Sequence, residues 1–183
     1  MRTVATLRVL VAAALGAALA LAHPAAGAEL PKVGLAQGNG AISVGAPAPS
    51  LAGTDFRGRA IAAEAFRGRP VLVDFGSVFC LSCQETLKEL ARLEKVYRGT
   101  DLALVFVTDS AASPQVVENV FGRLGATYTV IRDGGSKLFT SYGVKLIPFQ
   151  VVIDRQGIVR KMHNGFTPDL EAVLGLKELA GLP

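Results

Sequence analysis

Cys80 and Cys83 are the two cysteines of the chain, separated by Leu81 and Ser82. They follow Val71-Leu-Val-Asp-Phe75, an apolar run of strand type that stops at Gly76-Ser77, and Cys80 falls where a helical pattern opens. The first turn of a helix carries unpaired N–H groups and the positive end of the helix dipole. Both favour thiolate over thiol, so a pKa of about 3.5–7.5 is accessible to Cys80 in place of the free value near 8.5. Cys83 stands one turn further on. Cβ atoms at that spacing lie roughly 5–6 Å apart, and a small adjustment reaches the ~4 Å of a disulfide. The pair therefore reads as a redox switch.

Two other readings compete with it. A structural disulfide closing so short a loop stabilises little, about 2 kcal/mol in the chain-entropy model against nearly 5 for a loop of about 100 residues. A zinc site wants four ligands, and neither a third cysteine nor a histidine at ligand spacing accompanies the pair, since His23 and His163 are far apart in sequence. No metal and no cofactor is expected. Asp74 is the second informative position, because a carboxylate inside an apolar strand is costly unless it is paired or protonated. The plain reading is a solvated or hydrogen-bonded acid at a strand end.

The N-terminus bears on which chemistry is possible. Arg2 and Arg8 precede an apolar stretch from Val9 to Ala22, and small residues follow, ending in Ala26-Gly27-Ala28. This is the pattern of a signal peptide over residues 1–28, cleaved before Glu29, with Ala20-Leu21-Ala22 as a second cleavage candidate. The competing reading is an uncleaved anchor, against which the apolar run is short for a bilayer, which needs about 17–25 residues. The expected location is periplasmic or otherwise extracytoplasmic, where an exposed dithiol is either kept reduced by a partner or acts as an oxidant. Removal of 28 residues from 183 leaves 155, enough for one well-buried domain. The net charge then falls from +4 to +2, because Arg2 and Arg8 leave with the segment. The remaining basic residues are interspersed with acids, which argues against a nucleic-acid stripe.

Residues 29–44 read as a flexible leader and 45–183 as the folded domain. Short strands flank the Asp55-Phe-Arg-Gly58 turn, and one helical turn spans Ala63 to Phe66. A buried strand follows at Val71–Phe75, then a helix from Cys80 to Tyr97 with Leu87, Leu90, Ala91 and Leu93 inward. Leu102–Val107 is a continuous apolar strand of the parallel kind. Ser113-Pro114 opens a helix that Gly125 stops. Thr127–Ile131 is a strand, Ser136–Tyr142 a short helix, and Gln150–Ile153 with Ile158–Met162 a hairpin around Asp154-Arg-Gln-Gly157. Thr167-Pro168 caps a last helix reaching Leu179. This order predicts an α/β fold, a central mixed β-sheet flanked by helices on both faces.

These residues together resemble the thioredoxin superfamily, and within it the exported TlpA/ResA-like thiol–disulfide oxidoreductases. The resemblance runs from about Val44 to Leu179. It rests on Val44-Gly-Ala-Pro-Ala-Pro49, Phe66-Arg-Gly-Arg-Pro-Val-Leu-Val-Asp-Phe75, the Cys80–Cys83 pair, Ile147-Pro148 and Val151-Val-Ile-Asp-Arg-Gln-Gly157, in that order and spacing. It implies a thioredoxin-like fold with the TlpA-type strand–helix insert between Leu102 and Ile131. It also implies roles. Cys80 would attack a partner's disulfide to form a mixed disulfide, and the more buried Cys83 would resolve it. Asp74, six residues before Cys80, would take the Cys83 proton. Pro148 matches the family's cis-proline, and Ile147 would offer its backbone to an extended substrate segment.

The chain departs from the family's pattern in having Gly76 and Phe79 where tryptophans are usual and Ser82 where a proline precedes the second cysteine. Phe79 keeps an aromatic face for substrate, and Ser82 offers a hydroxyl to a thiolate. The implied partners are protein thiols or disulfides and a membrane-embedded thiol carrier that gives or takes electrons. Apocytochrome c is one such substrate, and a monomer suffices. Two alternatives share the scaffold. A copper-binding chaperone would use the soft thiolates, but such relatives have three residues between the cysteines and a histidine before the penultimate strand. A thiol peroxidase would place Ser77 three residues before Cys80, yet Val73 stands where that family has proline.

Overall fold

The structure is a computed structural model that describes residues 42–181. The segment read as a signal peptide, and the leader up to residue 41, lie outside the described residues.

One seven-stranded sheet organises the domain. Its strands are β1 (Gly53–Thr54), β2 (Ala60–Ile61), β3 (Val71–Gly76), β4 (Ala103–Asp109), β5 (Thr129–Asp133), β6 (Phe149–Ile153) and β7 (Val159–Asn164), in the spatial order β2-β1-β5-β4-β3-β6-β7. β3, β4 and β5 are parallel, and β1, β2, β6 and β7 join antiparallel to them and to each other. The apolar runs of β3 and β6 are buried along their whole length, as expected of central strands covered on both faces. β3 is flanked by β4 and β6, so its C-terminal end opens at the middle of the sheet.

Helices α1 (Leu81–Val96), α2 (Pro114–Leu124), α4 (Leu170–Leu174) and α5 (Leu176–Ala180) cover one face, with Leu72, Phe106, Leu87, Leu90, Phe121 and Leu170 in one apolar cluster. The other face packs Val73, Phe75 and Val151 against α3 (Lys137–Ser141) through Leu138 and Tyr142. Phe75 sits there among the rings of Tyr142 at 4.9 Å, Phe139 at 5.3 Å and Phe149 at 6.3 Å between centroids. The α/β architecture with helices on both faces is as the sequence predicts.

Four details differ from the sequence reading. β5 begins two residues later than expected, because the N–H and hydroxyl of Thr127 are both taken by the Glu94 carboxylate of α1. The final helix is two short ones. Gly175, at φ +62, ends α4 in the left-handed conformation that glycine accepts without penalty, and α5 starts beyond it. Thr167 does not cap that helix, whose N-cap is Asp169; its hydroxyl instead accepts the Asp169 N–H at 3.4 Å. The last strand also runs on to Asn164, which brings His163 into the sheet.

Candidate active site

The end of β3 and the start of α1 are joined by a tight turn. The Cys80 N–H bonds to the Ser77 carbonyl at 3.1 Å, the Phe79 N–H to the Ser77 hydroxyl at 3.3 Å, and the Gln84 side chain to the Val78 carbonyl at 2.8 Å. Cys80 is itself the N-cap of α1, with extended backbone at φ −88, ψ 124. Its sulfur accepts the N–H of Cys83 at 3.3 Å and lies 3.2 Å from the Ser82 hydroxyl. Sulfur thus takes the place that a serine or aspartate oxygen usually fills at a helix start. Partial burial disfavours a charge on Cys80. The Cys83 thiol, the Ser82 hydroxyl and the N–H groups of Cys83 and Ser82 outweigh that burial and hold its pKa below the ordinary thiol value.

Cys83 has no exposed surface. Burial, the hydrogen bond to Cys80 and the negative charges of Cys80 and Asp74 push its pKa up to about 12, against a lowering contribution from the Ser77 backbone. Both cysteines are free thiols here. The space for Cys83 depends on Gly76: a Cβ there would stand 3.0 Å from the Phe106 ring and 3.4 Å from the Cys83 sulfur.

Asp74 lies fully buried in the middle of β3. Its Oδ1 accepts the side-chain N–H of Gln150 at 2.7 Å, while Oδ2 has no hydrogen-bond partner. Burial raises its pKa to about 7, against the opposing effect of the Gln150 bond. Gln150 is the residue directly across from Asp74 in the β3–β6 pairing, and sequence reasoning missed it. The signal was available, since Gln150 is the lone polar side chain in Phe149-Gln-Val-Val-Ile153.

The Ile147–Pro148 peptide bond is cis, as the resemblance implies. Pro148 directly precedes β6, and Phe149 pairs with Phe75, so the cis bond sits at the same end of the sheet as Cys80. The Pro148 carbonyl accepts the N–H of Gly165, just beyond β7. Around this end several apolar side chains face solvent: Phe79 is 60% exposed, Leu81 80% and Leu146 71%.

Glu85 pairs with Lys88 at 2.7 Å on the outer face of α1. Glu89 holds Arg92, which also reaches Glu171 of α4. The Ser77 hydroxyl is engaged by Phe79 in the turn. Among the described residues no three of His, Cys, Asp and Glu converge on a point that could hold a metal.

The Redoxin family model matches residues 43–175, which is most of the chain and all of this site. The chain belongs to the Redoxin family. It is a TlpA/ResA-like member of the thioredoxin superfamily and an oxidoreductase. This redoxin is 27% identical over 126 residues to the thiol-disulfide oxidoreductase ResA of Geobacillus thermodenitrificans, covering 68% of this chain and 71% of that one. A DsbE-type thiol:disulfide interchange protein from Chlorobium tepidum superposes with a TM-score of 0.68 at 26% identity, over 78% of this chain and 100% of the other. The DsbF structure from MTB, in mixed oxidized and reduced forms, shares the fold at 17% identity and TM-score 0.62, over 71% of this chain and 95% of that one.

Proposed function

We propose that this redoxin is an exported thiol–disulfide oxidoreductase that exchanges disulfides with envelope proteins through Cys80 and Cys83. The observation that carries the reading is the Cys80 sulfur at the N-cap of α1, 3.3 Å from the Cys83 N–H and 3.2 Å from the Ser82 hydroxyl, with Cys83 buried beneath. In the reducing direction the Cys80 thiolate attacks one sulfur of a substrate disulfide. That S–S bond breaks, the other substrate sulfur leaves as thiolate and takes a proton from solvent, and a mixed disulfide to Cys80 remains. Cys83 then gives its proton to the Asp74 carboxylate and attacks the Cys80 sulfur. The second substrate thiolate departs, the Cys80–Cys83 disulfide forms, and two electrons have passed to the substrate. Oxidation of a substrate dithiol is the same sequence reversed.

A pKa of about 12 for Cys83 would make the second proton transfer steep, but that value belongs to the dithiol. Once Cys80 is in a mixed disulfide it carries no charge, and its hydrogen bond to the Cys83 proton is gone. Two of the causes that raise Cys83 then vanish, and the gap to Asp74, at about 7, narrows.

The substrate side is read from exposed Phe79, the cis-Pro148 and the Ile147 backbone beside it, which together would seat an extended, partly apolar segment. Export rests on the residue 1–28 signal pattern, with 45–183 as the working domain. The partners this implies are envelope protein disulfides, apocytochrome c among them, and a membrane-embedded thiol carrier. No helix among the described residues is long and apolar enough to cross a membrane. A disulfide-reduction assay on the purified protein tests the mechanism. Cys80→Ser should abolish turnover, and Cys83→Ser should trap the mixed disulfide. Full activity of Cys80→Ser would end this reading.

A further inference from the structure

Three buried polar atoms without hydrogen-bond partners lie along one face of the sheet. Asp74 Oδ2, Gln150 Oε1 and His163 Nε2 are all enclosed, and none has a hydrogen-bond partner. The three residues lie in one row across three strands. Asp74 of β3 pairs with Gln150 of β6, and Gln150 pairs with His163 of β7. Residues directly opposite on neighbouring strands point to the same face with Cβ atoms about 4.5–5.5 Å apart, so each is within side-chain reach of the next. The row begins under the cysteines and ends at His163, which is half-buried on the edge strand.

An amide between a carboxyl group and an imidazole can be satisfied in two settings. With Asp74 ionised, the Gln150 N–H donates to the carboxylate, as observed at 2.7 Å, and Gln150 Oε1, unpartnered in the structure, is left to accept a hydrogen bond from His163 Nε2–H. With Asp74 protonated, its O–H requires an acceptor. Turning the amide over supplies Oε1 to that O–H and directs the N–H towards His163, whose Nε2 must then be bare with the ring proton on Nδ1.

We propose that Gln150 and His163 are positioning residues for the Asp74 proton: the Gln150 amide turns over as the carboxyl gains or loses it, and His163 secures each setting by exchanging its ring proton with solvent. No net proton is kept by the imidazole in this cycle; Nε2 releases one as Nδ1 takes one up. The proposal rests on the reading above that Asp74 receives the Cys83 proton. The other ionisable groups facing the carboxyl are few. They are Cys83 from α1, Tyr128 just ahead of β5 and, further along within that strand, Arg132, whose guanidinium holds the Ser110 and Ala112 carbonyls. β4 presents Phe106 to it.

The test follows the Asp74 carboxyl carbon and the His163 ring nitrogens by NMR through a pH titration of the reduced, full-length protein, alongside the pH profile of mixed-disulfide resolution. The expected result is that the His163 nitrogen shifts report a tautomer change with the same midpoint as Asp74. Gln150→Met keeps the side-chain volume but removes the donor, so it should move the Asp74 midpoint up by about one unit or more and uncouple His163 from it. His163→Phe should move the same midpoint in the same direction by less; at the half-buried edge it also serves should Gln150→Met not fold. Nitrogen shifts that ignore the Asp74 titration, or variants that leave its midpoint in place, overturn the proposal. Asp74→Asn separates the two levels of argument. If that variant resolves the mixed disulfide at the wild-type rate, the proton-acceptor reading fails, whatever Gln150 does.

Discussion

Asp74→Asn should make the reduced protein more stable, by an amount that grows as pH rises from about 4 to about 7 and then levels off. Asp74 is fully buried, and its pKa is raised from 3.8 to about 7 by burial, against the Gln150 hydrogen bond. Between those two values the folded chain keeps a proton that the unfolded chain has released. Stability therefore falls as pH rises through this window, and the loss is complete above about pH 7. About three pKa units at 1.36 kcal/mol each give a loss of about 4 kcal/mol. Asparagine is neutral throughout and escapes it. The variant and the wild type should therefore be close in stability at pH 4, and should diverge until the variant leads by about 4 kcal/mol at pH 8. For a domain of this size that corresponds to roughly 8–16 °C in Tm. Urea unfolding of both reduced proteins between pH 4 and pH 8 measures it, and the difference between them cancels the titrating groups that Asp74 does not influence. A constant difference across pH, or one that grows towards acid, would refute the burial argument. The same variant should slow resolution of the mixed disulfide, a trade of activity against stability.

Ser82→Ala removes the hydroxyl 3.2 Å from the Cys80 sulfur. The thiol should then ionise at higher pH, because one hydrogen bond that favours the thiolate is gone; alkylation rate against pH reads the shift, and an unchanged midpoint contradicts the contact. Gly76→Ala forces a methyl to 3.0 Å from the Phe106 ring and 3.4 Å from the Cys83 sulfur. It should cost about 1–3 kcal/mol in denaturant unfolding as an overpacked core does, and a neutral result would mean the sheet gives way more easily than drawn here. Phe79→Ser should raise KM for protein disulfides while leaving reduction of a small-molecule disulfide unchanged, if the ring, 60% exposed, serves the proposed substrate contact and not the reacting sulfurs. Equal losses on both substrates would place Phe79 in the reaction itself.

Local signals carried most of the architecture. Continuous apolar runs marked β3, β4 and β6, and Ser113-Pro114 with Gly125 bounded α2 as written. The cysteine pair and Asp74 were legible for the same reason: each breaks a local pattern. What escaped depends on which distant segments become neighbours. Gln150 breaks the pattern of β6 as plainly as Asp74 breaks that of β3, but its meaning appears only when β6 lies beside β3. Thr127 looks like strand until Glu94, 33 residues earlier, takes its N–H. The last helix keeps its apolar spacing straight through Gly175, so periodicity alone could not show the break that the left-handed backbone makes there.

The β6–β7 turn has a further consequence. Gly45 and Ala46 exchange backbone hydrogen bonds with Val159, and Ala48 bonds to Gly157, so the described chain first touches the sheet where β6 ends and β7 begins. β6 runs antiparallel to β3, which puts that junction at the opposite pole from Cys80, about 20 Å away for a six-residue strand. A bead, electrode or affinity handle joined ahead of Ile42 would therefore grip the domain by its heel and leave the reactive sulfur pointing outward, free to meet large clients.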